Sequence, residues 1–188
     1  YWLTNEATAI TESQVTIGQL AMAPKTLGAY TELSRLLMLQ STPAAEALVM
    51  NDFAKVLALA IDLAVFEGSG ASGQPTGISA TGSIGSVVGT SLDLAKAIEF
   101  QTDLATANAL CDNCAYITTP AVAGLLKGRA RIASTDSQTL WAGSVLDGSI
   151  EGFKATTSTQ LTAASMIFGD FSQVILGEWG MLEIALNP

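Results

Sequence analysis

Residues 42–67 read TPAAEALVMNDFAKVLALAIDLAVFE, and this stretch decides how the rest of the chain is interpreted. Thr42 can cap a helix whose first turn holds Pro43, because a proline there has no N–H that needs a partner. Glu46 in the first turn suits the helix dipole, and Gly68 ends the run. The stretch therefore predicts one helix of about 25 residues, roughly 37 Å long.

The predicted helix is apolar around most of its circumference. Placed at 100° per residue, its polar residues fall in one stripe about 100° wide: Asn51, Asp52, Lys55 and Asp62. Asp52, Lys55 and Asp62 interrupt any run of about twenty apolar residues, the length that a transmembrane helix needs. Leu57, Ile61 and Val65 lie away from the stripe, and we expect them to be buried against a sheet. The helix is predicted to be covered by its own domain or by neighbouring subunits. An ordinary core helix of a monomer is the alternative interpretation.

The composition of the chain favours contacts between subunits. Charged residues make up 13% and apolar residues 49% of the 188 residues, with a mean hydropathy of +0.41. An average soluble protein has about 25% charged residues. The length fits one large domain or two intimate lobes. So little charged surface suits an oligomer, in which subunit contacts cover the apolar excess. We expect both ends of the chain, Tyr1 and Pro188, to be cut points.

Charge and histidine content exclude several classes of function. The chain has a formal net charge of -9 and contains no histidine. A negative chain without a basic patch does not favour tight nucleic-acid binding, and the lack of histidine removes Ser-His-Asp catalysis and histidine metal sites. Cys111 and Cys114 form a Cys-x-x-Cys that could be half a zinc site or a redox pair, but no second pair completes four ligands. We therefore favour structural thiols and predict no catalytic, cofactor-binding or metal site.

The segments on either side of the long helix are predicted to be irregular or extended. Residues 15–33 suggest a long hairpin of two extended segments hinged at Pro24 and Lys25, although an ordinary edge hairpin fits equally well. Residues 34–40 suggest a short helical turn. Residues 68–91 are rich in Gly, Ser and Thr, and this composition predicts a loop or a boundary between lobes. A phosphate-binding loop is disfavoured, because no Walker lysine follows the glycines.

The remainder of the chain is predicted to form a compact α/β lobe. Thr90, with Asp93 three residues later, is interpreted as a capping box that opens a helix over residues 91–109. Arg129 and Arg131 could touch a neighbour's acidic face, but a solvated loop is the favoured interpretation. The other elements are a strand over 115–118, a helix opened by Thr119 and Pro120 that stops near Gly128, strands over 149–155 and 165–170, and a strand pair over 173–186 turned at 177–180. The expected fold class is mixed α+β.

Four stretches occur in a recognisable order: PKTLGAYTELSRLLML (24–39), the long helix with its continuation to QPTGI (42–78), YITTPAVAGLLKGRA (116–130) and IFGDFSQVILGEWGMLEI (167–184). In this order they resemble the major capsid proteins of tailed bacteriophages and prophages, which have the Hong Kong 97 type fold. The stretches cover nearly the whole chain. None of the four stretches is as specific as a metal-binding motif. The resemblance therefore rests on their order along the chain.

The resemblance implies a domain layout. Residues 1–33 would be the extended loop that reaches over a neighbouring subunit, and residues 34–78 the peripheral domain with its spine helix. Residues 79–168 would be the axial domain, and residues 169–188 the return to the peripheral domain. The family's N-terminal arm, any scaffolding region and its final strand are expected to have no counterpart here. Some members join subunits through a Lys–Asn isopeptide bond near the loop tip, but residues 5–14 hold no Lys, so we do not expect that cross-link.

The function implied by the resemblance is structural and not enzymatic, with no cofactor. The chain would be a major capsid protein that assembles as pentamers and hexamers of an icosahedral shell enclosing viral DNA. Its partners would be copies of itself, with scaffolding, protease and portal proteins as further candidates. It would bind neither a specific nucleic-acid sequence nor a membrane. It would lie in the virion, and in the host cytoplasm during assembly. The alternatives are the shell protein of an encapsulin-type bacterial compartment and, from a different class, an acidic hydrolase with paired carboxylates.

Overall fold

The computed structural model describes residues 14–15, 17–34, 36, 40, 44–132, 138–180 and 183. Within these residues the fold is mixed α+β, as predicted. Its helices are α1 (Ala44–Glu67), α2 (Leu94–Thr106) and α3 (Pro120–Gly128). Its strands are β1 (Cys114–Thr118), β2 (Ala142–Gly143), β3 (Asp147–Ile150), β4 (Phe153–Thr157) and β5 (Met166–Asp170), and a 3-10 helix follows at Phe171–Gln173.

The chain divides into two compact units. The larger unit, which contains all of these helices and strands, is Lys25–Leu176, and the smaller one comprises Tyr1–Pro24 with Gly177–Pro188. In the smaller unit, a Cβ on Gly177 would lie 2.7 Å from Trp179 Cη2 and 2.9 Å from Met22 Cε. A side chain at Gly177 would therefore require Trp179 and Met22 to shift. The boundary at residue 24 coincides with the hinge predicted from the sequence.

A five-stranded mixed sheet, in the order β2-β3-β4-β1-β5, lies in the larger unit. The strand β1 pairs with β4 in parallel and with β5 antiparallel. Parallel neighbours need a crossover connection, and α3 together with β2 and β3 lies between β1 and β4 in the chain. The strands predicted over residues 115–118 and 165–170 are confirmed as β1 and β5. The register places Tyr116 of β1 between Ala155 and Phe168.

The single strand predicted over residues 149–155 is instead a tight hairpin of β3 and β4. Ile150 pairs with Phe153, which leaves Glu151 and Gly152 as a two-residue turn. Both turn residues have positive φ, 45° for Glu151 and 87° for Gly152, which matches the twist of the flanking strands. A glutamate seldom adopts positive φ, so the residue pattern alone does not indicate this turn.

Side chains cap the amino ends of α2 and α3. Asp93 accepts a hydrogen bond from the Lys96 backbone N–H at 3.0 Å, and Thr119 caps α3, as predicted, from the residue before Pro120. The helix α2 begins after Asp93 and not at residue 91. Ser91 has a φ of 58°, which a right-handed helix excludes. Asp93 is therefore the cap itself, and the capping box proposed for Thr90 is wrong.

The predicted amino-terminal hairpin does not form in the described residues. Residues 14–15 and 17–34 contain no strand, and their apolar side chains, such as Ile17 at 90% exposure, are not covered by a neighbouring strand. The turn predicted over residues 34–40 is helical at the two described positions, 36 and 40. Most of that turn lies outside the described residues, as do Thr42 and Pro43 of the predicted helix cap.

The strand pair predicted over residues 173–186 is also absent where the structure describes the chain. Residues 174–180 form no strand. A 3-10 helix follows β5, and in it the Asp170 carboxylate accepts from the Ser172 backbone N–H at 3.0 Å. This cap ends the extended conformation at the sheet edge, so the chain leaves the sheet there. All but one residue of the rest of the predicted pair lies outside the described residues.

The core of the larger unit is built around Tyr116, which is completely buried. Its ring stacks on Phe168 of β5 at 4.2 Å between centroids and meets Phe100 of α2 edge-on at 6.3 Å. Its hydroxyl donates to the Ala97 carbonyl at 2.8 Å and accepts from Gln101 Nε2 at 3.0 Å. Burial raises the pKa of Tyr116 to about 12. Other buried apolar members of this core are Ala123, Leu126, Leu140, Trp141, Ile150 and Ala155.

A loop closed by glycines follows α1, which ends at Glu67 as predicted. The chain doubles back so that the Gly77 N–H donates to the Gly68 carbonyl at 2.8 Å, and the Ile78 N–H donates to the Val65 carbonyl at 2.8 Å. A Cβ on Gly77 would overlap the Gly68 backbone nitrogen. The two backbone segments therefore meet at a distance that only glycine allows.

Replacing Gly77 with Ala should lower the free energy of unfolding by about 1–3 kcal/mol, because the new methyl group requires a backbone shift. Gly85→Ala in the same loop region is the matched control, since a Cβ at Gly85 has nothing within 4 Å. Denaturant unfolding of both variants measures the difference. Equal midpoints for the two variants would show that the loop is not closed in this way.

At alkaline pH, Tyr116→Phe should lose less stability than the parent. The pKa of Tyr116 is about 12 in the folded chain against an ordinary value of 10.0, so the native state holds the phenol proton more tightly. The resulting stability is complete below about pH 10 and is lost as the pH rises to about 12, by about 3 kcal/mol at most. Denaturant unfolding from neutral pH to about pH 12 should show a steeper decline for the parent. Parallel curves for parent and variant would contradict the burial of this hydroxyl.

Candidate assembly surface

One stripe of α1 is half-buried and the rest faces outward. Every described side chain of the helix, over residues 47–67, is at least partly accessible. The half-buried positions recur every three or four residues, as a single helix face requires: Phe53, Leu57, Ala60 and Ala64. Val65 is also half-buried, but Ile61 is 39% exposed. The predicted burial of Ile61 is wrong, because it lies roughly 70° from the middle of this stripe at 100° per residue. Val65 lies farther from the stripe but is half-buried at the end of the helix where the Ile78 N–H donates to its carbonyl.

A row of large apolar side chains lies on the outward side of α1. We call it the α1 ridge, and it consists of Leu48, Val56, Leu59 and Leu63. The last three follow the i, i+3, i+7 spacing that aligns side chains along one helix face. Leu48 is 71% exposed and Leu59 is 49% exposed. The predicted polar stripe is exposed at all its positions and overlaps the ridge, because Asp52 lies on the same helix face as Leu59. Leu and Val side chains aligned on an open face favour contact with another surface.

Two irregular segments of the larger unit also expose apolar side chains. Leu27 and Tyr30 precede α1, and Ile175 and Leu176 follow the 3-10 helix. The apolar excess in the composition is therefore found on the surface of this unit as well as in its core, as expected for a chain that contacts other subunits. In the described part of the chain, no helix combines the length and apolarity that crossing a membrane requires.

A side-chain hydrogen bond joins the last residue of α1 to the connection between β4 and β5. Glu67 Oε1 accepts from the Thr162 backbone N–H at 3.0 Å. This hydrogen bond lowers the pKa of Glu67, because it stabilises the carboxylate. The bond and the Gly68–Gly77 contact act at the same end of the helix. Together they attach the carboxyl end of α1 to the rest of the larger unit.

The two arginines after α3 hold separate parts of the chain together. Arg131 forms an ion pair with Glu151 of the β3–β4 turn at 2.8 Å, and Arg129 donates to the Leu92 carbonyl before α2. The favoured interpretation of a solvated loop is therefore wrong for these side chains, and they do not form an open basic spot. Their partners lie 20 and 37 positions away in the sequence, so no local pattern reveals them.

Cys111 and Cys114 lie together where the chain passes from α2 to β1. Their sulfur atoms are 3.1 Å apart, and Cys114 is buried. The hydrogen bond between the two thiols raises the pKa of Cys111. A structural zinc ion needs four ligands, and no group of three or more His, Cys, Asp or Glu side chains gathers in the described residues. That this pair binds no metal stays a prediction.

Two described carboxylates have a lowered pKa and are hydrogen-bonded anions. Asp170 accepts from the Ser172 hydroxyl at 2.6 Å and from its N–H at 3.0 Å, and Ser172 thereby lowers the pKa of Asp170. Glu67 is stabilised in the same sense by Thr162. The general acid of a hydrolase with paired carboxylates needs a raised pKa. Neither side chain suits that role, and both hold the ends of secondary-structure elements.

Known phage proteins are similar to this chain along its whole length. The family model described as Phage capsid family matches residues 1–187. A curated relative, the major capsid protein of Halomonas phage phiHAP-1, is 26% identical over 188 residues. The alignment covers 100% of this chain and 30% of the relative, so the chain spans less than a third of that protein's length.

Glu67→Ala should weaken the attachment of α1 by about 1 kcal/mol at neutral pH, because the Thr162 N–H loses its acceptor. Glu67→Gln keeps an oxygen acceptor and should lose less. The folded pKa of Glu67 lies below 4.5, so the charge stabilises the fold above that pH, and the effect disappears as the pH falls through the folded value. Urea unfolding of the parent and both variants, at neutral and acid pH, measures these differences. Equal losses for Ala and Gln at neutral pH would contradict the attachment.

Proposed function

Because the chain belongs to the phage capsid family, we propose that it is a major capsid protein of a tailed phage or prophage. In this proposal, its copies form the pentamers and hexamers of an icosahedral shell around viral DNA. Members of the family are structural proteins and not enzymes, and a capsid protein implies self-assembly into a shell of the virion. The chain spans 30% of the relative, so the arrangement of a whole capsid subunit is part of the proposal.

The observation that carries this proposal is the α1 ridge. The core around Tyr116 is closed within one chain, whereas the ridge leaves its apolar side chains open to solvent. Burying one Leu or Val side chain contributes about 1.5–3 kcal/mol. A shell repeats the same contact at every equivalent interface, so a small gain per subunit is multiplied over the whole particle. The low share of charged residues, 13%, supports the same conclusion.

We assign the Hong Kong 97 type layout to the chain as part of the proposal. In it, α1 is the spine helix of a peripheral domain over residues 34–78, and residues 169–188 return to that domain. Residues 79–168 form the axial domain, which is supported by the sheet and its closed core falling almost wholly within this range. Residues 1–33 reach over a neighbouring subunit. Residues 17–33 form no strand and expose large apolar side chains, which supports that role.

The proposed partners are other copies of the chain, followed by scaffolding, protease and portal proteins during assembly in the host cytoplasm. The net charge of -9 disfavours contact with the phosphate backbone. The shell would therefore enclose DNA without reading its sequence. The absence of Lys from residues 5–14 disfavours an isopeptide cross-link at the loop tip. Subunits would then be held by non-covalent contacts such as the α1 ridge.

Leu59→Glu in the full-length capsid protein should reduce the yield of shells at least about tenfold, because a carboxylate on the ridge cannot be buried without a partner. The isolated chain should unfold within about 0.5 kcal/mol of the parent, since the side chain is exposed there. Electron microscopy and sedimentation of the full-length protein measure shell yield. Denaturant unfolding of the isolated chain measures stability.

Ala58→Glu is the matched control for this experiment. Ala58 is exposed and one residue from Leu59, so the new carboxylate has the same charged neighbours, Lys55 and Asp62. It points about 100° away from the ridge. The control should therefore form shells like the parent. Equal shell yields for the two Glu variants would contradict the role of the ridge. Shells filled with cargo enzymes and no DNA would favour the encapsulin-type alternative.

A further inference from the structure

A β-turn brings Cys111 and Cys114 together at the start of β1. The Cys114 N–H donates to the Cys111 carbonyl at 3.2 Å, which closes the turn. The Cys111 N–H is directed at Cys114 Sγ at 3.4 Å, and the two sulfur atoms are 3.1 Å apart. The ends of a β-turn have Cα atoms within about 7 Å, close to the span that a disulfide requires. The fold thus holds two free thiols in a geometry that a small movement converts to a disulfide.

We propose that Cys111 and Cys114 form a reversible dithiol–disulfide site that fastens the turn between α2 and β1. Cys114 is 2% exposed, whereas Cys111 is only partly buried. A reagent from solvent therefore reaches Cys111 first. The buried Cys114 lies directly behind it as the second thiol.

The oxidant in this proposal is a low-molecular-weight disulfide such as glutathione disulfide. The Cys111 thiolate attacks one of its sulfurs, which forms a mixed disulfide and releases one glutathione thiolate. Cys114 loses its proton and attacks the Cys111 sulfur, which forms the internal disulfide and expels the second glutathione thiolate. The two cysteines lose two electrons and two protons, and glutathione disulfide gains them to become two glutathione thiols.

The position of the pair explains what the bond would do. Cys114 is the first residue of β1, pairs with Asp170 of β5, and lies two residues before Tyr116. A disulfide there would fix the entrance to the strand that organises the core. The hydrogen bond between the thiols raises the pKa of Cys111, and a small thiolate fraction makes exchange slow.

The timing of the reaction rests on the proposed function. A shell is assembled in the reducing host cytoplasm and then released into an oxidising medium, where disulfides persist. The thiols would therefore be reduced during assembly and oxidised after release. The exchange itself depends only on the folded chain. Its failure would leave the proposed function intact, because shell formation is measured separately by microscopy.

The experiment equilibrates the purified chain with mixtures of glutathione and glutathione disulfide, both folded and unfolded in urea. Samples are quenched with acid, remaining thiols are labelled with N-ethylmaleimide, and the intact mass is measured. The folded parent should lose two hydrogen atoms and take up no label, and dithiothreitol should restore two labels. The ratio of disulfide to dithiol should be at least about tenfold higher in the folded chain than in the unfolded chain, because a bond favoured by the fold stabilises it in return.

Single-cysteine variants complete the test. Cys114→Ser should stop at a mixed disulfide between Cys111 and glutathione. Cys111→Ser should take up glutathione more slowly, because Cys114 is buried. A ratio of one or less between folded and unfolded parent would overturn the proposal. A folded parent that carries glutathione without closing the internal bond, or that forms only dimers through intermolecular disulfides, would overturn it too.

Discussion

The burial of the Tyr116 side chain is the interaction on which the folded unit depends. Its ring needs Phe168 of β5 and Phe100 of α2 around it, and its hydroxyl needs Ala97 and Gln101. A buried hydroxyl without a partner costs about 1–3 kcal/mol, so the ring and the hydroxyl must be satisfied together. These contacts tie α2 to β1, and the β1–β5 pairing places Phe168 opposite Tyr116.

The long helix is held in place differently from this core. No described side chain of α1 is fully buried, and its attachment depends on backbone contacts at Gly68 and Gly77 and on the Glu67–Thr162 hydrogen bond. These contacts fix the direction of α1 but bury little apolar surface area. The chain thus combines a closed core with a helix whose apolar ridge is exposed among the described residues. Membership of the phage capsid family fits that combination, because a capsid protein implies self-assembly.

Elements with local signals could be predicted from the sequence, and those that depend on distant partners could not. The end of α1 at Gly68, the Thr119 cap of α3 and the strand β1 follow from residues next to one another. The turn at Glu151 and Gly152 requires a positive φ that glutamate does not signal. Arg131 depends on a partner, Glu151, that lies 20 positions away. The exposed side of α1 was the hardest to predict, because periodicity identifies an apolar face but not what covers it. The family could be predicted because the order of motifs survives where single residues differ.

The contacts at the carboxyl end of α1 have a mechanical consequence. A helix of 24 residues is about 36 Å long and stiff along its axis, so a small rotation at the glycine loop is amplified along it. A rotation of 10° at the loop would carry the far end through roughly 6 Å, about one helical turn. Such a rotation would exchange side-chain contacts along α1 while the tyrosine-centred core stayed unchanged. Side chains at the far end of α1 would thus move farther than those beside the glycine loop.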